Sequence, residues 1–447
     1  MIPTYSCKLL VPLILGCCQI AFAGSRPNIV LLFVDDLGWS DLGYRNPGVV
    51  ETPHIDQLAR EAMDFEQCTI ATPTCSPSRG TLLTGKHPVR LGLVRHISGG
   101  PEEEFSYWKT DPAQVPSRNW MELEHITYAE ALKEFGYYNQ FIGKWHLGHE
   151  PYHPVEQGFD SQIGTTNRGH PGSYYPDYFP DSEVFEEEES AYLTDKLTDA
   201  AVGFIESYDK PQPFMLSFWY YSVHSPHIGR KDYVEHFKKK GFEGKYAEYL
   251  AMIKSVDDSV GRIRGALESK GIADETILIF LSDQGSYFEN KPLRGGKMHD
   301  TLFEGGARVP FLFYWPGVTE PVKNTSIVQS TDLFPTLVEI AGGDPGEYPD
   351  VDGVSLLNVL RNNTQLERGR PIFGYRAYED LYASVRNGDW KLLGYRSGKL
   401  ELYKIDTDIG ESSDVSSEFP GRTEEMKAML VDWEREMGVM QYSGFNK

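Results

Sequence analysis

The chain has 447 residues, of which 40% are hydrophobic, 13% aromatic and 24% charged, a globular composition long enough for one large core or two domains. Its formal net charge is -22, which argues against nucleic acid as a partner. Such a surface favours solubility, and an anionic substrate would need a local basic pocket working against the overall field.

The first residues carry Lys8, an apolar stretch from Leu9 to Ile20 and an Ala21-Phe22-Ala23 cleavage pattern. This reads as a signal peptide over residues 1–23 and predicts a secreted or periplasmic protein. The stretch is short and broken by Pro and Gly, so no stable membrane insertion is expected. A lipoprotein signal at Cys17 is the alternative, and Leu15 fits it poorly. Of five cysteines, cleavage leaves Cys68 and Cys75. That excludes a disulfide framework and leaves one short Cys68–Cys75 bridge as the purely structural use of the pair.

"RPNIVLLFVDDLG" is an apolar run closing on Asp35 and Asp36, the pattern of a buried parallel strand. "TPHIDQLAREAM" follows as a helix, with Thr52 as N-cap and Pro53 at the first helical position. Cys75 opens a further helix in a Ser/Pro/Arg setting with nothing apolar nearby to bury its thiol. "TYAEALKEFGYYNQFIGKWHLG" gives a helix, a stop at Gly136 and a strand running into Lys144 and His146. The acidic run Glu186 to Glu189 reads as a solvated loop or helix face. "AYLTDKLTDAAVGFIESY" is a helix, "PFMLSFWYYSVHSPH" a strand ending at His224, and "YLAMIKSVDDSVGRIRGALESKG" a helix stopped by Gly271. "ETILIFLSDQG" is a strand leading into Asp283 and Gln284, "RVPFLFYWPG" another strand, and "TDLFPTLVEIAGG" a helix.

Strands alternating with helices predict an α/β sheet with helices on both faces and a site at the strand ends. The composition changes near Gly343. Asn387-Gly388 between alternating runs is a hairpin signal, "KLELYKI" a third strand, and "RTEEMKAMLVDWEREMG" an amphipathic helix. The expected division is a catalytic domain over 24–343 and an α+β subdomain, antiparallel sheet plus helix, over 344–447.

Asp35, Asp36, Asp283 and Gln284 all follow apolar strands. Four oxygen donors at a sheet edge suit Ca²⁺ or Mg²⁺ rather than zinc, while either pair alone is better read as capping a turn. Arg79, Lys144, His146, His224 and Lys297 lie in predicted strand-end or Gly-rich loops and suggest an oxyanion pocket.

"CSPSRGTLLTG" resembles the C-x-P-S-R signature of type I sulfatases. "NIVLLFVDDLG", "GKWHLG", "LSDQG" and "GGKMHDTLFEGGARVP" resemble that family's other blocks, in its order, from about Asn28 to Pro310. The resemblance implies an alkaline-phosphatase-like mixed sheet and hydrolysis of sulfate monoesters, with a sulfated carbohydrate as partner. It implies that Cys75 is oxidised to Cα-formylglycine (3-oxoalanine) by a formylglycine-generating or equivalent maturation enzyme. One hydroxyl of the hydrated aldehyde would attack sulfur and the other would later expel sulfate. A divalent cation, Ca²⁺ with Mg²⁺ as the alternative, would be held by Asp35, Asp36, Asp283, Gln284 and residue 75. Arg79, Lys144 and Lys297 would hold the sulfate, His224 with Lys297 would protonate the leaving alcohol, and His146 would assist sulfate expulsion. Gln284 departs from the Asn or His common in the family at this place, and its longer arm makes it the least secure ligand.

Three other readings compete. They are a phosphomonoester or phosphonate monoester hydrolase of the same fold, a non-catalytic sulfoglycan-binding protein with an unmodified Cys75, and a two-zinc phosphatase site. The loops "LVRHISGGPEEEFSYWKTDPAQVPSRNW" and "TTNRGHPGSYYPDYFPD" are long and rich in aromatic and basic residues, so they are candidates to shape the substrate pocket. Within them Arg168 and His170 are expected to contact a second anionic group or a ring hydroxyl.

Overall fold

A computed structural model describes residues 26–180, 185, 191–299 and 301–445. The signal peptide and the Glu186–Glu189 run lie outside the described residues. Among the described residues no helix is long and apolar enough to cross a membrane.

In chain order the strands are β1 (Asn28–Val34), β2 (Met63–Thr69), the short pair β3 (Phe105–Ser106) and β4 (Ser117–Arg118), β5 (Tyr138–Gly143), β6 (Ser161–Ile163), β7 (Phe214–Trp219), β8 (Thr276–Ser282), β9 (Phe311–Tyr314), β10 (Lys323–Gln329), β11 (Ile372–Tyr375), β12 (Leu381–Asn387), β13 (Trp390–Tyr395) and β14 (Leu400–Lys404). The helices are α1 (Pro53–Glu61), α2 (Cys75–Thr84), α3 (Tyr128–Glu134), α4 (Leu193–Ser207), α5 (Lys231–Lys239), α6 (Gly244–Lys270), α7 (Glu304–Ala307), α8 (Leu333–Ala341), α9 (Leu357–Asn362) and α10 (Pro420–Glu436).

Eight strands form one sheet in the order β10-β2-β9-β8-β1-β7-β5-β6. All its pairings are parallel except those made by β9, so the sheet is mixed, and the C-terminal ends of β1, β2, β5, β7 and β8 share one edge. The apolar run of β1 feeds two cores because successive side chains point to opposite faces. Ile29, Leu31 and Phe33 join one core with α2, α3 and α8, and Val30, Leu32 and Val34 join the other with α1, α4, α5 and α6.

Three local expectations change. Thr52 precedes α1, but its hydroxyl accepts from Gly43 N–H at 2.7 Å and donates to Asp56, so it caps nothing. Asp257 of α6 caps α1 instead, one carboxylate oxygen accepting from His54 and Ile55 N–H at 2.9 Å each. Strand β7 stops at Trp219, five residues before His224, and the buried Tyr220, Tyr221 and Val223 continue the apolar run as loop. β2, β10 and α5 gave no sequence signal because Asp64, Glu66, Lys323, Asn324 and the charged "KDYVEHFKK" interrupt any apolar period.

The second sheet is antiparallel, ordered β11-β12-β13-β14, with α10 packed on β12 and β13. The expected hairpin is present, but its two loop residues are Gly388 and Asp389, since Asn387 still pairs with Trp390. Its core takes in Val94 and Val115 from the loop after α2. Lys391 of β13 is buried between Glu304 and Glu411, 2.8 Å from each. An ion cluster thereby fastens this sheet to α7.

Candidate active site

The parallel strand ends deliver the functional groups to one place. Asp35 and Asp36 follow β1, and Cys75 opens α2 after β2. Lys144 and His146 follow β5, His224 follows β7, and Asp283 and Gln284 follow β8. Lys297 comes from the loop before α7. Gly143 ends β5 at φ +101°, and a Cβ there would stand 2.0 Å from the Trp219 carbonyl that accepts from Lys144 N–H. Two non-glycine residues of the site also take left-handed backbone, Asp36 at φ +62° and His146 at φ +56°. Asp36 is held there by its N–H donating to Asp283 Oδ1 at 3.0 Å.

Cys75 is buried, contrary to the expectation from its sequence setting, and it is buried among charges rather than apolar groups. Cys68 and Cys75 are both unpaired, so the structural bridge is absent. Asp35 Oδ1 lies 3.9 Å and the Gln284 side-chain nitrogen 3.2 Å from Cys75 Sγ. Each aspartate carries a cation. Lys144 bonds Asp35, Lys297 bonds Asp36, and Arg79 Nη2 meets Asp283 Oδ2 at 2.9 Å. Arg79 Nη1 donates to the Lys144 carbonyl at 2.9 Å.

These pairings set the protonation states. Burial raises the Cys75 thiol, but Lys144 and Lys297 outweigh it and hold the group well below its ordinary value. Burial also opposes ionisation of Asp35, and the adjoining Lys144 reverses the balance, leaving it below the usual carboxylate range. Asp283 stands well above that range, because burial and the neighbouring Asp35 both penalise its charge. Burial lowers His146, with part of the effect offset by the Cys75 sulfur.

Three buried carboxylates converging with an amide fit a hard divalent cation. Asp35 and Asp283 with Cys75 form one group of potential ligand atoms, and Asp36, Cys75 and His224 an overlapping one. The penalty on Asp283 is what such a cation would relieve. Gln284 Nε2 donates to Asp36 Oδ1 at 2.7 Å, so turning the amide over presents its oxygen to the same point.

A cavity of about 730 Å³ opens over Cys75. Of the predicted residues, Cys75, His146, His170, His224, Gln284 and Lys297 line it. Arg79 and Lys144 do not. Both are fully buried beneath the floor, so of the three cations expected to hold the sulfate only Lys297 faces the cavity. The His170 ring stacks on His224 at 5.5 Å and 5°. Arg168 is exposed and is not part of the lining. Sequence reasoning singled out the loop holding His96 and Trp108, which do line the wall, but missed Arg376, Tyr378 and Glu379. They follow β11 in the C-terminal sheet, outside the blocks that carry the other site residues, and no local spacing betrays such a long-range approach.

The Sulfatase family model matches residues 27–343, and the model for the C-terminal part of N-sulphoglucosamine sulphohydrolase matches residues 298–436. N-acetylgalactosamine-6-sulfatase of Mus musculus is 33% identical over 401 residues, covering 83% of this chain and 72% of that protein. A sulfatase of Formosa agariphila is 28% identical over 479 residues, covering 90% and 86%. The solved structure of Ps i-CgsB in complex with k-i-k-neocarrahexaose is similar at a TM-score of 0.81 and 28% identity, covering 93% of this chain and 94% of that one. The site's oxygen-rich floor and opening cysteine match what this family uses, a formylglycine and a divalent metal. The chain belongs to the sulfatase family and is a sulfuric ester hydrolase.

Proposed function

We propose that the protein is a secreted or periplasmic hydrolase of sulfate esters on carbohydrate, using formylglycine at position 75 and Ca²⁺. The observation that carries this reading is the seating of Cys75 on three buried, cation-balanced carboxylates at the floor of an open cavity. The sugar class is supported by similarity to N-acetylgalactosamine-6-sulfatase and to Ps i-CgsB, solved in complex with k-i-k-neocarrahexaose.

Ca²⁺ held by Asp35, Asp36, Asp283 and Gln284 would polarise a sulfate oxygen and acidify the attacking hydroxyl. A formylglycine at residue 75, hydrated, would supply that hydroxyl and a second one whose deprotonation would release the sulfate. The chain's own residues supply the rest. Lys297, at the cavity edge, holds a sulfate oxygen and stabilises charge as the bridging bond breaks. His224 Nδ1 lies 2.6 Å from the Ser225 carbonyl, which only accepts, so Nδ1 carries a proton, and Nε2, once it has taken up a second one, is the end that delivers it to the leaving alcohol. His146 Nε2 lies 3.2 Å from the Ile97 carbonyl, which by the same logic leaves Nδ1 as the base for residue 75. Arg79 and Lys144 act from below, fixing Asp283 and Asp35 and holding positive charge beside residue 75. His170, stacked on His224, offers a ring nitrogen toward a sugar hydroxyl.

Mass spectrometry of the peptide spanning Cys75 tests the reading, with an aldehyde expected in place of the thiol. Cys75→Ala should abolish turnover of 4-nitrophenyl sulfate with the fold intact, and Cys75→Ser should trap a sulfated protein. An unmodified thiol in fully active protein, or activity in the alanine variant, rejects it. Faster turnover of the matching aryl phosphate would favour the phosphomonoesterase alternative.

A further inference from the structure

The turn that carries His224 is held from two sides. On one side the end of β1 fixes it. Tyr220 N–H donates to the Phe33 carbonyl at 2.8 Å and Val223 N–H to the Asp35 carbonyl at 2.6 Å, and Asp35 N–H returns a bond to the Ser222 carbonyl at 3.0 Å. His224 N–H closes the turn on the Tyr221 carbonyl at 3.1 Å. On the other side stands one phenol. The Tyr174 hydroxyl lies 2.6 Å from the Tyr221 carbonyl and 2.9 Å from the His224 carbonyl, bridging the two ends of the turn. Both carbonyls only accept, so the single phenol proton is shared between them.

Tyr174 is itself firmly placed. It is fully buried, its ring stacks on Tyr192 at 5.9 Å, and its carbonyl accepts from Leu193 N–H at 2.9 Å at the start of α4. Burial lifts the phenol well above its ordinary value, so the hydroxyl stays a donor. It does not line the cavity, so any effect on the reaction passes through the turn. The ring of His224 follows that backbone closely. Its Nδ1 is 2.6 Å from the Ser225 carbonyl, which leaves Nε2 over the floor, 3.8 Å from Asp36 Oδ2.

We propose that Tyr174 is a positioning residue for the proton donor: its hydroxyl, bridging the Tyr221 and His224 carbonyls, sets where His224 Nε2 stands against the leaving oxygen. This rests on the reading of His224 as that donor. As the bond between sulfur and the leaving oxygen breaks, its electron pair goes to that oxygen and the Nε2 proton follows. How much the proton matters depends on the alcohol. An acidic phenol departs as its anion, whereas a weakly acidic phenol or a sugar hydroxyl needs the proton as it leaves. Misplacing Nε2 therefore costs most on the poorest leaving groups, a signature that general loosening of the fold does not produce.

The test compares kcat/KM of the mature, aldehyde-bearing protein on 4-nitrophenyl sulfate and on phenyl sulfate, whose phenol ionises at about 10, as a tyrosine does. Tyr174→Phe removes one oxygen and keeps the ring. It should lower kcat/KM on phenyl sulfate about 10- to 100-fold, the cost of a catalytic group displaced by about 1 Å, and leave 4-nitrophenyl sulfate within about threefold. His224→Ala should lower both, phenyl sulfate the more, and Tyr174→Phe added to it should lower neither further. Equal losses on both substrates in Tyr174→Phe, no loss on either, or a further loss in the His224→Ala background overturns the proposal. Should the phenylalanine variant not fold, Tyr174→Met removes the same hydroxyl with a flexible apolar side chain and is judged by the same outcomes. Equal losses in His224→Ala would remove His224 as the donor, and the proposal with it. Unequal losses there without unequal losses in Tyr174→Phe reject Tyr174 alone.

Discussion

Gly169 offers a clean way to disturb one catalytic group without touching it. A Cβ built there would stand 2.4 Å from His146 Cε1 and 2.7 Å from Nε2. Ordinary contact begins near 3.4 Å, so Gly169→Ala requires a displacement of about 1 Å. The ring has little room to retreat, because Nε2 is on the Ile97 carbonyl and the residue sits at φ +56°. A misplacement of about 1 Å in a catalytic group can cost on the order of 100-fold in rate. The overpacking itself costs about 1–3 kcal/mol. We expect kcat on 4-nitrophenyl sulfate to fall about 10- to 100-fold with a modest loss in Tm. Because His146 is assigned to the expulsion step, the variant should also accumulate sulfate on residue 75, visible by intact-protein mass spectrometry. A kcat within about threefold of wild type would show that the 165–170 loop yields instead of the ring, and the assignment of His146 as the base held by this contact would be refuted.

Two further outcomes are expected. Lys391→Met should destabilise the protein by about 3–5 kcal/mol, since it strips the shared cation from buried Glu304 and Glu411. Burial raises Glu411 to about 7, with Lys391 opposing, so its stabilising protonated form is fully present below the unfolded value of 4.5 and is lost as pH rises through about 7. The drop in Tm caused by Lys391→Met should therefore be larger at pH 8 than at pH 5.5, and a pH-independent or absent drop in thermal scans would contradict this. His170→Ala should weaken turnover of sulfated glycan more than turnover of aryl sulfate, because His170 lines the cavity. Equal losses on both substrates, compared as kcat/KM, would make this residue structural or catalytic instead.

The chemistry was more legible in the sequence than the shape around it. Asp35, Asp36, Asp283 and Gln284 announce themselves because each follows a fully apolar run, and a parallel sheet must present such residues at one edge. The block order did the same for Cys75, Lys144 and Lys297. What stayed hidden depends on tertiary partners. β2 and β10 interleave polar residues such as Asp64, Glu66, Lys323 and Asn324, so their strand character comes from pairing with neighbouring strands rather than from their own period. The capping of α1 by Asp257 joins residues some two hundred positions apart on an order-of-magnitude count, beyond any local rule. The division of labour among Arg79, Lys144 and Lys297 is likewise a matter of depth. Sequence gives three cations, and only packing reveals that two of them lie under the floor.

That depth explains how a chain of net charge -22 can receive an anion at all. Exposed acidic groups are screened within about 10 Å in ordinary salt, so their sum says little about the field inside a cleft. Inside, the count is local. Asp35, Asp36 and Asp283 are matched by Lys144, Lys297 and Arg79, so the floor contributes no large net negative field. The geometry then breaks the symmetry. The carboxylates are all fully buried, whereas the Lys297 side chain retains 14% exposure and reaches the cavity wall. A sulfate entering from above meets the lysine and the histidines before the carboxylates. A divalent cation held by these aspartates would deepen the same asymmetry by adding positive charge to the floor. Acidic composition and anion specificity are therefore compatible, the first acting through screened surface charge and the second through the order in which buried groups are stacked beneath one cysteine.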